Sequence, residues 1–131
     1  MKYLATIYGD ESRWENMAPE EGKAILDAYF AFGDEAERAG VLLGGEGLQP
    51  TASATTVRVR DGDKTVTDGP FAETKEQLGG FYLLDCKDLD EAIEWAAKIP
   101  GAQTGSVEVR PVMDYEGAGQ EGQGAAASTQ S

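Results

Sequence analysis

The chain has no histidine and a single cysteine, Cys86, among its 131 residues. Without an imidazole, no side chain titrates near neutrality at its ordinary pKa, so proton transfer would fall to carboxylates and phenols. One thiol excludes an intramolecular disulfide and makes a reducing cytoplasm the expected location. No zinc-type ligand set exists, and Asp61-Gly62-Asp63 is too short for a calcium loop; no metal is expected. Gly44-Gly45-Glu46-Gly47 lacks the Lys-Ser/Thr end of a phosphate loop, and no cofactor is expected either. Basic residues are also scarce. Eleven Lys and Arg against 24 Asp and Glu give a net charge of −13 and a pI near 4.2. Such a surface repels nucleic-acid phosphates and anionic membranes, so neither is an expected partner, and solubility alone accounts for the charge. No apolar run approaches the length of a membrane span, and the short, alternating start Met1–Tyr8 is unlike a signal peptide.

What is present suits one domain. Hydrophobic residues make up 40% of the chain, enough for a core and above the range of disordered chains. Lys2–Tyr8 reads as a strand with large apolar groups on both faces. Pro19, followed by Glu20 and Glu21, opens a helix whose stripe is Ile25, Tyr29, Phe32, Ala36 and Ala39, and Gly40 stops it. Val41–Leu48 is a glycine-rich strand. Thr55–Arg60 and Lys64–Thr67 form a hairpin closed by Asp61-Gly62-Asp63. The run Phe81–Cys86 is the most apolar strand, and Cys86 reads as a small buried hydrophobe within it. Asp88, with Glu91 three residues on, starts a second helix with the stripe Leu89, Ala92, Ile93, Ala96 and Ile99. Gly105–Pro111 is the last strand. Strand, helix, strand, hairpin, strand, helix, strand is an α+β order, the ferredoxin-like split βαβ with an antiparallel sheet and an inserted hairpin. The helices cover one sheet face. The other is apolar enough to need a cover, most simply a second copy of the same sheet, which predicts a homodimer.

The stretch Thr67–Tyr82 organises the rest. Asp68-Gly69-Pro70 is turn chemistry, Glu73–Glu76 packs acid, hydroxyl, base and acid into four positions, and Gly79-Gly80 suits a bulge or a close backbone approach. Asp68-Gly69-Pro70-Phe71 followed by Ala72-Glu73-Thr74-Lys75-Glu76-Gln77-Leu78-Gly79-Gly80-Phe81 resembles the signature of DGPF-domain proteins, a branch of the YCII-related superfamily. The resemblance spans Lys2–Val112 and implies a dimeric α+β barrel, two ferredoxin-like sheets face to face. It also implies an accessory role beside extracytoplasmic-function sigma factors through protein contact. Some members of the superfamily use a His–Asp pair as acid and base, and no position here carries that His.

The candidates for proton transfer are Asp10, Glu46, Asp68, Glu73, Tyr3, Tyr8 and Tyr82. Asp68, Glu73 and Tyr82 are the catalytic candidates; Asp68 is expected to brace its own turn through backbone amides, which leaves Glu73 and Lys75 the better candidates for ligand contact. Glu73, Thr74, Lys75 and Arg58 are the ligand-binding candidates. Arg58 and Arg60 share a strand face that suits an anion, solvent or ion pairs between subunits. Trp14 reads as a lid or as peripheral packing. Two functions follow. One is a homodimeric module that binds a small polar ligand or a protein partner, including a sigma-factor-related one. The other is a cofactor-free lyase, isomerase or dehydrochlorinase-like enzyme working through carboxylates and tyrosines. Residues 1–113 form the domain, and 114–131, rich in Gly, Ala, Gln and Ser, read as a disordered tail. Truncation after Asp114 is expected to leave the melting temperature within about 2 °C, as surface changes do; a larger fall in a thermal melt would show that the tail docks.

Overall fold

The computed structural model describes residues 1–115, so most of the expected tail, from residue 116 on, lies outside the described residues. In chain order come β1 (Lys2–Gly9), α1 (Ser12–Glu15), α2 (Pro19–Arg38), β2 (Leu42–Gly47), β3 (Thr55–Arg60), β4 (Asp63–Asp68), β5 (Gln77–Asp85), α3 (Leu89–Ala97) and β6 (Ser106–Pro111). Short 3₁₀ turns occupy Thr51–Ser53 and Pro100–Ala102. The main sheet runs β2-β5-β1-β6, every neighbouring pair antiparallel. Helix α2 carries the chain from β1 over β5 to β2, and α3 carries it from β5 over β1 to β6. That is the ferredoxin-like arrangement, and the fold is α+β. The pair β3–β4 forms a separate two-stranded sheet. Its two-residue turn has positive φ at Asp61 (53°) and Gly62 (81°), the mirror-image turn that Asp-Gly favours in hairpins.

Local chemistry sets the helix ends. Pro19 begins α2 with Glu20 and Glu21 in its first turn. At the other end Gly40 takes φ +76°, the Gly40 amide donates to the Glu37 carbonyl, and the Val41 amide donates to the Ala36 carbonyl at 2.9 Å. This paired closure needs a left-handed residue, which glycine adopts without strain. The Glu91 amide donates to Asp88 Oδ1 at 2.9 Å, and the Lys87 amide donates to Glu91 Oε1 at 2.7 Å, a reciprocal cap at the start of α3.

The core lies between the helices and one face of the sheet: Tyr3, Ala5, Phe32, Ala36, Val41, Leu84, Cys86, Ala92 and Ile99, with Ile7, Val107 and Val109 packed against it. The α3 stripe differs from the expected one. Leu89 and Ile93 are 48% and 50% exposed, while Trp95 joins the core and its ring stands edge-on to Phe32 at 6.2 Å. Alanine at 92 and 96 lets the helix sit close, and the helix turns so that the largest ring, not the β-branched side chain, meets α2. Ala39, expected in the α2 stripe, is exposed at the helix end. The connection from β1 to α2 includes the single-turn helix α1, and β5 begins at Gln77, four residues before the expected Phe81.

On the opposite face Leu4, Thr6 and Tyr8 of β1 pair with Leu83, Phe81 and Leu78 of β5. These side chains stand outside the core cluster: Leu78 is 39% exposed and shares a hollow with Leu48 and Phe71, and the others are half-buried. Gly79 is the bulge: Ile7 pairs with Gly80 and Tyr8 with Leu78.

The α3 cap offers a direct test of this local logic. Asp88→Ala should cost about 0.5–2 kcal/mol and lower the melting temperature by several degrees, with Asp88→Asn retaining most of the stability. Equal melts for all three proteins would dismiss the cap.

Candidate functional site

Helix α2 is buried at Phe32 and Ala36 but only half-buried at Ile25 and Tyr29, so its N-terminal half stands off the sheet. The gap is an open cleft of about 1240 Å³. Its floor is Ile7, Gly45 and Tyr82, its roof is Tyr29 and Phe32, and the Pro100–Ala102 turn closes one side. The β1–α1 connection, with Asp10, Glu11 and Trp14, forms the rim.

Two phenols define the interior. The Tyr82 ring lies over Gly45: a Cβ there would come within 2.6 Å of the ring and 2.7 Å of the Phe81 carbonyl. The Tyr29 hydroxyl lies over Gly101 in the same manner, where a Cβ would meet it at 2.6 Å and Ile7 Cγ2 at 2.8 Å. Glycine at both positions is therefore a matter of space: each ring occupies the volume a side chain would need. The Phe32 ring centroid is 4.9 Å from that of Tyr82, tilted by 54°, which fixes Tyr82 from the α2 side. Burial raises the pKa of Tyr29 above its ordinary value near 10, against a smaller opposite pull from the Gly101 backbone. Burial also raises Tyr82, and negative charge on Tyr29 raises it further. At neutral pH both are un-ionised hydroxyls able to donate and to accept.

A polar lattice holds the mouth. Glu11 receives the Thr51 amide on Oε2 at 2.9 Å and the Thr51 hydroxyl on Oε1 at 2.8 Å. The Glu11 amide donates to Gln77 Oε1 at 2.9 Å, and Gln77 Nε2 donates to the Thr74 carbonyl at 2.6 Å. The Thr74 hydroxyl donates to the Glu76 carbonyl at 2.6 Å. The β1–α1 connection, the turn before β3 and the loop before β5 are thereby tied together. Asp10, beside Glu11, receives the hydroxyl and amide of Ser12 at 2.7 and 2.9 Å, and these bonds hold its carboxyl below the ordinary carboxylate value.

Of the residues singled out from sequence, the structure brings Tyr82 into the cleft and places Asp10 and Trp14 at its rim; Tyr8 and Glu46 also border the opening, at register positions of the opposite sheet face. Tyr3 is core, its hydroxyl facing the Met1 sulfur at 3.7 Å. Asp68, Glu73, Thr74, Lys75 and Arg58 do not line the cleft. Asp68 ends β4 opposite Thr55 and is exposed. The turn it was expected to brace is held instead by the Gly69 amide on the Ala54 carbonyl at 2.7 Å and the Thr56 hydroxyl on the Gly69 carbonyl at 2.8 Å. Glu73 and Lys75 are exposed, and no ion pair joins them to another described residue. Thr74 belongs to the lattice. Pro70 and Phe71 line a separate hollow of about 400 Å³ at the root of the hairpin with Leu48 and Thr56. Sequence reading missed Tyr29, Gly101, Glu11 and Gln77. Tyr29 was taken for core packing, although a hydroxyl on a core stripe needs a partner or an opening.

Residues 1–116 match the YCII-related domain. The chain belongs to the YCII-related family. An uncharacterized protein of Rhizobium meliloti (strain 1021) is 43% identical over 118 residues, covering 88% of this chain and 95% of that one. Among solved structures, 5-chloro-2-hydroxyhydroquinone dehydrochlorinase from Burkholderia phenoliruptrix AC1100, in complex with 2,5-dihydroxybenzoquinone, is similar with a TM-score of 0.48 at 12% identity. That likeness covers 86% of this YCII-related chain and 94% of the other.

The phenol pair has a pH signature. A folded pKa above the unfolded one means that the folded state holds its protons longer, so the contribution to stability is complete below about pH 10 and is lost as pH rises through the folded values. Spectrophotometric titration should show Tyr29 and Tyr82 ionising late. In Tyr29→Phe, Tyr82 should ionise earlier than in the wild type, because the neighbouring charge is gone. An unaltered Tyr82 titration would separate the two rings.

Proposed function

We propose that this YCII-related chain is a small-molecule binding module. Its ligand has an apolar body and a hydrogen-bonding head, held in the cleft between α2 and the sheet. The observation that carries the reading is the pair of un-ionised phenols, Tyr29 and Tyr82, seated on Gly101 and Gly45 inside an otherwise apolar floor and roof. Preset hydroxyls on rigid rings fix a ligand's orientation at small entropic cost, and apolar walls supply the affinity. The exposed carboxylates Asp68 and Glu73 stand away from this cleft, and none of the buried residues described is polar or charged. Asp10, Glu11, Glu46 and Lys98 border the same opening, and the two phenols inside it offer a ligand hydrogen bonds and ring contacts.

We further propose that the module is a homodimer in which the open sheet faces of two copies meet. Leu4, Tyr8, Phe81 and Leu83 form a half-buried apolar patch on that face, outside the core cluster. Burying such side chains contributes roughly 1.5–3 kcal/mol each. The assembled form would be the dimeric α+β barrel.

Both parts are open to experiment. A thermal-shift screen of small amphipathic molecules should yield compounds that stabilise the wild type, by about 2.7 kcal/mol at a hundredfold excess over Kd. Their affinity should fall about tenfold in Tyr29→Phe or Tyr82→Phe, corresponding to one lost hydrogen bond, and hold in Asp68→Asn and Glu73→Gln. Compounds bound equally by the tyrosine variants would place the site elsewhere. For the dimer, sedimentation at micromolar concentration should give twice the chain mass for the wild type and the chain mass for Leu83→Glu.

A further inference from the structure

The direction of two protons narrows what the cleft can hold. The hydroxyls of Tyr3 and Tyr115 donate to methionine sulfurs at 3.7 and 3.1 Å. Those of Tyr29 and Tyr82 donate to none of the described residues. Tyr29 is backed so closely by Gly101 that a Cβ on that glycine would lie 2.6 Å from the phenol oxygen. The Gly101 backbone favours the ionised form of Tyr29, which is the effect of an amide N–H directed at the oxygen, not of a carbonyl receiving its proton. The Gly101 carbonyl has its own donor, the Gly105 amide at 2.8 Å. One side of the Tyr29 oxygen is therefore engaged, and its proton is left for the cleft. Tyr82, seated on Gly45 with the Phe32 ring at 4.9 Å, is in the same position. Two un-ionised donors beside the apolar Ile7 and Phe32 call for an acceptor on the ligand.

Charge decides which acceptor. Acids outnumber bases around the opening, and the two bases are Arg13 and Lys98. Lys98 is held by Glu35 at 2.7 Å and lies over the Trp95 ring, while Arg13 is exposed at the rim. A carboxylate or phosphate head would enter against that field, and the net charge of −13 adds to the repulsion. A cation fails for a different reason: an ammonium brings donors alone to a pair of donors. The rim acids have partners without it, Asp10 in Ser12, Glu11 in Thr51 and Glu35 in Lys98; Glu15, Glu21 and Glu46 are exposed to water. Among uncharged heads, a carbonyl oxygen has two lone pairs and no proton of its own, which matches two donors.

We propose that the cleft selects an uncharged carbonyl compound, its C=O receiving the Tyr29 and Tyr82 hydroxyls and its apolar body resting on Ile7 and Phe32. The proposal rests on the small-molecule reading of this cleft and names the class of ligand. Tyr29 and Tyr82 are then the residues that determine specificity, and Gly101 sets the direction in which Tyr29 donates.

The test uses the full chain and four probes on one ring body: cyclohexanone, its hydrocarbon isostere methylenecyclohexane, cyclohexylammonium and cyclohexanecarboxylate. Affinities at neutral pH are read by NMR titration of protein labelled at the tyrosine Cζ carbons, for the wild type, Tyr29→Phe and Tyr82→Phe. The ratio of ketone to hydrocarbon affinity should fall about tenfold in either variant, the loss of one hydrogen bond, whatever the variant does to contacts with the ring. Both ions should bind the wild type at least about tenfold more weakly than the ketone. Saturating cyclohexanone should also make Tyr29 and Tyr82 ionise at higher pH than in the free protein, because an acceptor holds the phenol proton in place. A ratio unchanged in both variants, or earlier ionisation with the ketone bound, would overturn the carbonyl assignment. Tighter binding of cyclohexylammonium or of the carboxylate would overturn it too, and would leave the cleft a small-molecule site of another class. Probes that leave the Tyr29 and Tyr82 resonances unmoved would overturn the cleft reading and this proposal together.

Discussion

Strand β1 is bonded on both sides, to β5 along one edge and to β6 along the other, and apolar side chains load both its faces. Everything else answers to that constraint. A doubly paired central strand can be buried only if something covers each face. The helices cover the Tyr3–Ala5–Ile7 face. They can approach because the contact positions are small: Ala5, Ala36 and Ala92 are fully buried, and tight packing at alanine leaves room for the larger Phe32, Leu84 and Ile99 to fill the layer. Breaking the β1 ladder would dissolve the sheet order itself, since β5 and β6 meet only through it.

The same constraint produces the cleft. Where the facing residues are small, α2 lies against the sheet. Toward its N-terminus the facing residues are Ile25 and Tyr29, and on the sheet side Tyr82 is raised across Gly45. Two rings cannot occupy the space that two alanines do, so helix and sheet diverge and an opening remains. Glycine decides how the rings rest. At Gly45 and Gly101 a methyl group would collide with Tyr82 and Tyr29 respectively, so these glycines act as seats for the phenols. The Glu11–Thr51–Gln77–Thr74 lattice then holds the three loops that frame the mouth. Bonds of this kind contribute about 0.5–1.5 kcal/mol each, more where an ionised carboxylate accepts, and their main effect is to keep the rim in one arrangement.

Within the motif Asp68–Phe81 the charged and the uncharged residues are placed differently. Asp68, Glu73 and Lys75 are exposed, Glu76 receives the Ser106 hydroxyl at 3.2 Å, and the uncharged members do most of the positioning. Gly69 receives the Thr56 hydroxyl, Gln77 and Thr74 belong to the rim lattice, Gly79 forms the bulge, and Gly80 lets the backbone of Glu46 and Gly47 pass at a distance a Cβ would forbid. The stretch connects the hairpin, the rim and the central sheet. A run that must satisfy three neighbours at once is constrained at nearly every position.

Much of this was legible in the linear chain. The strand–helix order gave the split βαβ topology because each element's period depends on local chemistry: alternation in β1, Pro19 and Gly40 around α2, the Asp88–Glu91 cap on α3, Asp61-Gly62 at the hairpin tip. Backbone dihedrals and near-neighbour hydrogen bonds settle such features, and both are written within a few residues. Membership in the YCII-related family was legible as well, from the contiguous run Asp68–Phe81. The site was not. Tyr29 and Tyr82 are 53 positions apart, as are no two residues that periodicity can relate, and each looks like ordinary core in its own element. Glu11 and Gln77 look like loop polarity until the fold brings them to 2.9 Å. The rotation of α3 that buries Trp95 and exposes Ile93 was likewise decided by the fit of rings across the helix layer. Local sequence determines which elements form and where they stop; which side chains converge depends on packing distances between elements, and those exist only once the whole sheet has closed around β1.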